Sequence, residues 1–431
     1  MMVEGRDASR LPALRLSGAC ALRAFPMRFR MPAVRCAPAA AILACLLFAA
    51  VPAAAAPAEA LLILPFSNAG GNRHLDWIGD SVSEILIENL SAEGIEVVPP
   101  EERDQAMAEI SLRRYAVITR ASAIEAAIQA NADLVLYGAF ELRPASGKPE
   151  AGARLLITAH LLDARRLRRR GDFLVEKALA ELSAAQTSLA WQTLRALRPQ
   201  SLTAEEEFAR NHPLVRLDAL ENYARGLRAE NPEIRHKFLA TAARLAPDFS
   251  PALYQLGRLN LFVFRNYSAA ASWFERVAPA GIHYREALFF LGYCRHRTGE
   301  FAAAAEALRR LAGAAPLPEV LNNLGAVLLR LNDPAAAGVL RSAAEANPGD
   351  PDIAFNLGYA LWRSGRFDEA AEQFRLCLRS GEDPTATALL GRCLRQEGLR
   401  PGEVRLEGQE RLKLEYQESA WRALRSLVEK E

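Results

Sequence analysis

Six histidines, at 74, 160, 212, 236, 283 and 296, are the side chains best suited to hold a metal or move a proton. They are scattered. Neither H-x-x-H nor H-E-x-x-H occurs, so the ligand spacing of zinc hydrolysis is missing. No G-x-S-x-G occurs either, which argues against a hydrolase nucleophile elbow. Carboxylates are abundant, but none stands in the isolated apolar setting that marks a general acid. The Gly70-Gly71 turn lacks both glycine-rich phosphate patterns. The expectation is a protein that is not an enzyme, with no cofactor and no metal site. Beyond residue 58 only Cys294, Cys377 and Cys393 remain, all in apolar helical stretches where a thiol packs as a small hydrophobe. One disulfide, Cys377 to Cys393, stays open as a choice in an oxidising compartment.

The chain has 431 residues, 51% hydrophobic and 24% charged, with a net charge of +2. This is globular composition, and it carries no global field to attract nucleic acid. Residues 1–58 are set apart. Arg28, Arg30 and Arg35 precede an apolar run from Ala41 to Val51, and small residues follow up to Ala58. That order describes a secretory signal peptide, with cleavage after Ala55 or Ala58; Met27 and Met31 offer internal starts. The alternative is a single N-terminal membrane anchor, though Pro52 interrupts a run already short of the roughly 20 residues a span needs. Membrane contact is expected only through this segment, if it is uncleaved. The location expected after cleavage is periplasmic or secreted.

Residues 60–200 read as one layered domain. Ala60 to Phe66 is an apolar run of strand length, and Ser67 to Asn72 is turn chemistry. Ile78, Val82, Ile85, Leu86 and Leu90 share a helical face, with Asp76 or Asp80 as its cap. Strands are expected at 94–98, 133–140, 153–163 and 172–180, helices at 101–112, 121–131 and 182–197. The order is β-α-β-α-α-β-β-β-α. Arg165, Arg166, Arg168, Arg169 and Arg170 fall in the last hairpin, read as a hydrated tip. Leu-Pro-Phe at 64–66, Ile-Gly-Asp-Ser at 78–81 and Ala-Asp-Leu-Val-Leu-Tyr-Gly at 132–138 resemble the TolB N-terminal domain and the related CsgG-type envelope domains. The resemblance covers about 60–200 and implies a non-catalytic assembly module of a bacterial envelope. The β-propeller that follows in TolB is absent.

Self-similarity dominates residues 214–400. Leu-Gly recurs at Leu256-Gly257, Leu291-Gly292, Leu324-Gly325, Leu357-Gly358 and Leu390-Gly391, the glycines spaced 35, 33, 33 and 33 apart. Gly299, Gly365 and Gly398 follow seven residues after their partners. The unit from Asn356 to Phe374 resembles the tetratricopeptide (TPR) repeat, a helical hairpin of about 34 residues. The physics gives the spacing independently: glycine lets paired helices approach, facing Ala270, Ala304, Ala336 and Ala370, and neighbouring hairpins must stack to bury what each exposes. The fold class expected is therefore an α/β N-terminal domain followed by an all-α TPR solenoid. Residues 401–431, charged and amphipathic, read as a C-terminal capping helix.

In such a superhelix the first helices line the concave side. Gln255, Arg258, Phe290, Tyr293, Arg297, Asn323, Arg330, Asn356, Tyr359, Arg363, Leu389 and Arg392 fall at its exposed positions, and Tyr, Arg and Asn together suit a partner-binding groove. Asn323 and Asn356 sit where family members that clamp a terminal carboxylate place an asparagine; the accompanying lysines are missing. The function expected is an exported envelope scaffold that binds protein or peptide partners. The alternative is a cytoplasmic or membrane-tethered signalling regulator with TolB-like and TPR sensor modules, opposed by the signal-like segment and by the lack of a helix-turn-helix before residue 60.

Overall fold

The computed structural model describes residues 59–143, 152–200, 203–400 and 409–418. The expected export segment and most of the expected capping helix lie outside the described residues. No helix among the described residues is long and apolar enough to cross a membrane.

The run from Ala60 has no charged side chain, and Leu61, Leu62, Ile63 and Leu64 are wholly buried. It gives β1 (Leu61–Ile63), followed by β2 (Ser67–Asn68). Helices α1 (Trp77–Ala92), α2 (Pro100–Glu109) and α3 (Arg120–Gln129) lead to β3 (Leu134–Arg143), β4 (Arg154–Asp163) and β5 (Arg168–Ala178), closed by α4 (Leu182–Leu197). The sheet runs β1-β3-β4-β5, with β2 also alongside β3. β1 and β2 are parallel to β3, and the remaining pairs are antiparallel. The strand expected at 94–98 is one bridge, Leu61 with Val97. Pro99 and Pro100 start α2 at once, so pairing ends after the Leu61 and Val98 amides have bonded. Asp76 stands at the N-cap of α1 without a capping bond, and its carboxylate accepts from Asn68 Nδ2 at 3.0 Å.

The three motifs that carried the envelope resemblance converge on one residue, Phe66. A Cβ at Gly79 would lie 1.9 Å from the Phe66 carbonyl oxygen. A Cβ at Gly138 would lie 2.1 Å from Thr158 O and 2.5 Å from the Phe66 ring. Helix α1 and strand β3 close on Phe66 because both positions lack a side chain. At the exposed hairpin, the arginines are matched by carboxylates: Arg165 with Asp133, Arg170 with Glu59, and Arg169 with Asp172 at 2.8 Å.

After a short α5 (Glu205–Asn211) come five helix pairs. They are α6 (Leu217–Arg228) with α7 (Pro232–Leu245), α8 (Ser250–Arg258) with α9 (Tyr267–Phe274), α10 (Tyr284–Thr298) with α11 (Phe301–Ala314), α12 (Pro318–Arg330) with α13 (Ala336–Ala346), and α14 (Pro351–Arg363) with α15 (Phe367–Leu378). α16 (Pro384–Leu394) follows. The glycines do set the approach, but the residues that press on them lie one turn beyond the expected alanines. A Cβ at Gly257, Gly292, Gly325 or Gly358 would meet Phe274, Leu308, Leu340 or Phe374 at 2.5, 2.5, 2.4 and 3.1 Å. Gly226 meets Leu239 at 2.9 Å in the same way, which extends the series one pair towards the N-terminus. Gly299 and Gly365 end their helices at φ 85° and 77°, and Asn332 holds that place in the pair between them. In the α8 hairpin the left-handed residue is Arg265, eight residues after Gly257; the extra residue is taken up by a π turn over Leu259–Val263.

The sheet domain and the array share one core. α1 packs on both α4 and α6, and Arg258 reaches Glu101 of α2 at 2.6 Å. Cys294, Cys377 and Cys393 are buried and free, so the Cys377–Cys393 bridge is not made. Burial pushes the Cys294 thiol up to about 12. Residues 409–417 correct the expected capping helix: they contain no helix, and they lie against the first helices of the last repeats.

Candidate functional site

The last first-helices carry polar residues where a helix interior is usually apolar. Asn322, Asn323 and Asn356 are fully buried, as is Glu319 to 8% exposure. Buried amides need partners, and residues 409–418 supply them. Asn356 accepts from the Arg411 N–H at 3.0 Å and donates to the Arg411 carbonyl at 2.8 Å. Asn323 does the same for Lys413, accepting at 2.7 Å and donating at 2.8 Å. Asn322 joins the two, donating to the Arg411 carbonyl at 2.8 Å while its own oxygen accepts from Asn356 at 2.8 Å. Glu319 accepts from the Gln417 N–H at 2.9 Å.

The geometry is that of a sheet edge built from side chains. In an extended segment the N–H and C=O of one residue point the same way, and the next residue to do so is two along. An asparagine amide offers one acceptor and paired donors, as a facing strand would. Asn323 and Asn356 stand one repeat apart and grip residues two apart. The segment's backbone demand, which a helix would have met internally, is met by the wall instead.

Side chains add charge. Lys413 Nζ lies 2.8 Å from Asp350 and 2.7 Å from Asp352. Arg411 pairs with Asp383, and its guanidinium lies 3.9 Å from the Phe355 ring centroid. Glu410 pairs with Arg330 at 3.0 Å, and Glu418 pairs with Arg285. Tyr416 sets its ring 5.4 Å from Phe289. Burial alone would raise Asp383, yet the Ala386 amide and the Arg411 guanidinium hold its carboxyl below the usual range. Burial would lower Lys413, yet Asp350 and Asp352 raise it. Glu319 is raised by burial, against the pull of the Gln417 amide.

The residues expected in the groove divide into four groups. Asn323 and Asn356 were expected exposed on an open wall and are instead fully buried beneath the chain's own 409–418 segment, which occupies this part of the groove; Arg330 pairs with Glu410 of the same segment. Arg258 is spent on Glu101, and Arg363 on the Leu329 carbonyl at 2.8 Å. Arg392 lies over the Trp362 ring at 4.7 Å. Phe290, Tyr359 and Leu389 were expected exposed and are buried, at 3%, 2% and 1%. Phe290 sits among Phe262, Phe274 and Phe289, and Tyr359 stacks on Phe355 and Trp362. Tyr293 is half-buried beside Tyr267, and Arg297 covers that same ring at 5.1 Å. Neither reaches the segment among the contacts described. Glu319, Asn322, Asp350, Asp352, Asp383, Arg285, Phe289 and Phe355 escaped the sequence reading. The adjacent pair Asn322-Asn323 in an apolar helix was the available signal; Asp350 and Asp383, each before a proline, also cap their helices, a local role that gives no sign of the segment they hold.

A tetratricopeptide-repeat family model matches residues 283–318, 297–351, 322–387 and 355–401. This part of the chain carries TPR repeats. Among solved structures, the TPR protein YrrB, described as having an unusual peptide-binding site, is similar at 19% identity over 40% of this chain and 90% of its own, with a TM-score of 0.36. MamA is similar at 18% identity over 36% and 92%, with a TM-score of 0.34. PilF of Pseudomonas aeruginosa is similar at 18% over 41% and 83%, also with a TM-score of 0.34. No curated protein matches the chain.

Proposed function

We propose that this protein is a non-catalytic scaffold whose TPR groove holds an extended polypeptide by its backbone. The observation that carries the reading is the pair of buried amides, Asn323 and Asn356, each making two hydrogen bonds to a single residue of an extended segment. In this chain they satisfy the backbone of its own residues 411 and 413, and leucine in their place would leave those buried groups without partners. The sheet domain at 60–200 is, in this reading, a TolB N-terminal or CsgG-like assembly module, and the chain works in the bacterial envelope after export through its arginine-led leader. The convergence of Leu-Pro-Phe, Ile-Gly-Asp-Ser and Leu-Tyr-Gly on Phe66, one against its backbone and one against its ring, supports treating those motifs as one unit.

Affinity capture from envelope extract tests the groove. Wild type should recover partners that an Asn323→Ala/Asn356→Ala variant does not, and equal recovery by both would remove the amides from the role. Fractionation of a tagged chain tests the address: recovery of the uncleaved protein from the cytosol would overturn it.

A further inference from the structure

The amide ladder itself is indifferent to sequence, because it grips groups that every residue but proline owns. Selectivity must come from the surrounding wall. Asp350 and Asp352 at the start of α14, and Asp383 at the start of α16, put three carboxylates beside the two gripped residues. Asp350 and Asp383 are already anchored by the first amides of their helices, so they stand ready before any ligand arrives. The Phe355 ring receives a guanidinium from below, and the Phe289 ring meets an aromatic three residues past the second gripped position. Leu414 packs against the core between them. On the other side Arg330 takes an acid. The wall therefore reads acid, base, any, base, apolar, any, aromatic.

Given a groove that holds extended peptide, which is the reading above, we infer that its partner is a segment with Arg or Lys at two alternate positions followed by an apolar and an aromatic residue, and that residues 410–416 of this chain are the built-in competitor for the same seat. The tether keeps this competitor at a high local concentration. An external peptide is bound only in the fraction of molecules whose seat is open, and its apparent affinity falls by that fraction.

The test uses the full chain and a fluorescein-labelled peptide, Glu-Arg-Leu-Lys-Leu-Glu-Tyr, read by anisotropy. An Arg411→Glu/Lys413→Glu variant, shown by its unfolding midpoint to be folded, should bind the peptide about tenfold or more tightly than wild type does. Adding Asn323→Ala/Asn356→Ala should abolish the gain, and a peptide with glutamate at both basic positions should not bind. Equal affinity for wild type and the opened variant would overturn the competitor. If the opened variant binds arrayed peptides through the asparagines but without preference for the basic pair, the partner class falls and the groove stands. If it binds no peptide through the asparagines, both fall. A wild-type mass that rises with concentration, in a way the charge-reversed variant does not share, would assign the segment to a second copy and overturn the competition within one chain.

Discussion

The first helices of the array meet two very different neighbours. Near the N-terminal end, α6 and α8 face a folded domain. Tyr223 is buried with its ring edge-on to Phe249 at 5.0 Å, Arg228 reaches Asp80 at 3.5 Å, and Tyr254 stacks on His283 at 4.0 Å beside Glu88 of α1. Near the other end, α12 and α14 face an extended strand and hold it by amides. A rigid neighbour is matched by shape and ring packing, whereas a strand is matched by its backbone. One repeated scaffold thus accommodates both by changing what stands just before each Leu-Gly: Gln255 and Phe290 early, Asn323 and Asn356 late.

The largest effects should come from the cores behind each half. Tyr223→Ala and Phe374→Ala should each lower the unfolding free energy by about 3–5 kcal/mol in urea titration, as for other buried aromatics. The two sites are distant, so the losses should add within about 0.5 kcal/mol in the double variant. A large departure from additivity would mean that the halves are not separable.

Asn323→Ala/Asn356→Ala should act on one half alone. The amides of Arg411 and Lys413 should lose hydrogen-exchange protection, while the unfolding free energy drops by about 1–3 kcal/mol, the scale of a few hydrogen bonds. Retained protection at both amides would contradict the ladder.

Acid should separate the halves by sign. Burial raises the carboxyls of Asp80 and Glu88 at the domain contact, so their ionisation costs stability in the folded state. As pH falls through their raised values towards the ordinary range near about 4, these two groups should add to the stability of the folded state. Asp383 is held low instead, so its contribution is present above about 4 and is lost as pH falls through its lower folded value. Lys413 is held high, so its contribution is present below about 10.4 and is lost as pH rises through its folded value. Proteolysis at 409–418 across pH checks this: cleavage should rise only in strong acid and strong base. The smallest effect should be that of Lys413→Ala, about 0.5–1 kcal/mol and weaker at high salt, since its ammonium is a fifth exposed.

Much of this fold is legible because its signals are local and repeated. The Leu-Gly period locates every first helix from α8 to α16; a side chain at Gly257, Gly292 or Gly325 would collide with Phe274, Leu308 or Leu340, Gly358 is tight against Phe374, and Gly391 keeps the period without such a neighbour. The pair α6–α7 lies outside the Leu-Gly period, because Arg225 and not leucine precedes Gly226. The sheet was legible in part: Ser67-Asn68, read as turn, pairs with β3; β5 begins at Arg168, inside the stretch read as a hydrated tip; and at 94–98 two prolines cut pairing to one bridge. The site was half legible. Asn323 and Asn356 stand out by position in the repeat, but what they hold lies 90 and 55 residues away, and no local pattern announces that pairing. The segment's amphipathic spacing suits a helix; it is extended because the wall offers its backbone a better partner than itself. Phe290 and Tyr359 were misplaced because a concave position was equated with solvent, whereas Phe290 packs against Phe262 and Phe274 of the preceding hairpin and Tyr359 stacks on Phe355 and Trp362 of its own helix.

A ladder of amides spaced two residues apart would fit equally well if the strand slid by two. Glu415 would then arrive where Lys413 sits, facing Asp350 and Asp352, and three carboxylates would crowd one another. Repulsion of like charge thus works as a ruler: it forbids one direction of slip and leaves the ladder to measure nothing but length.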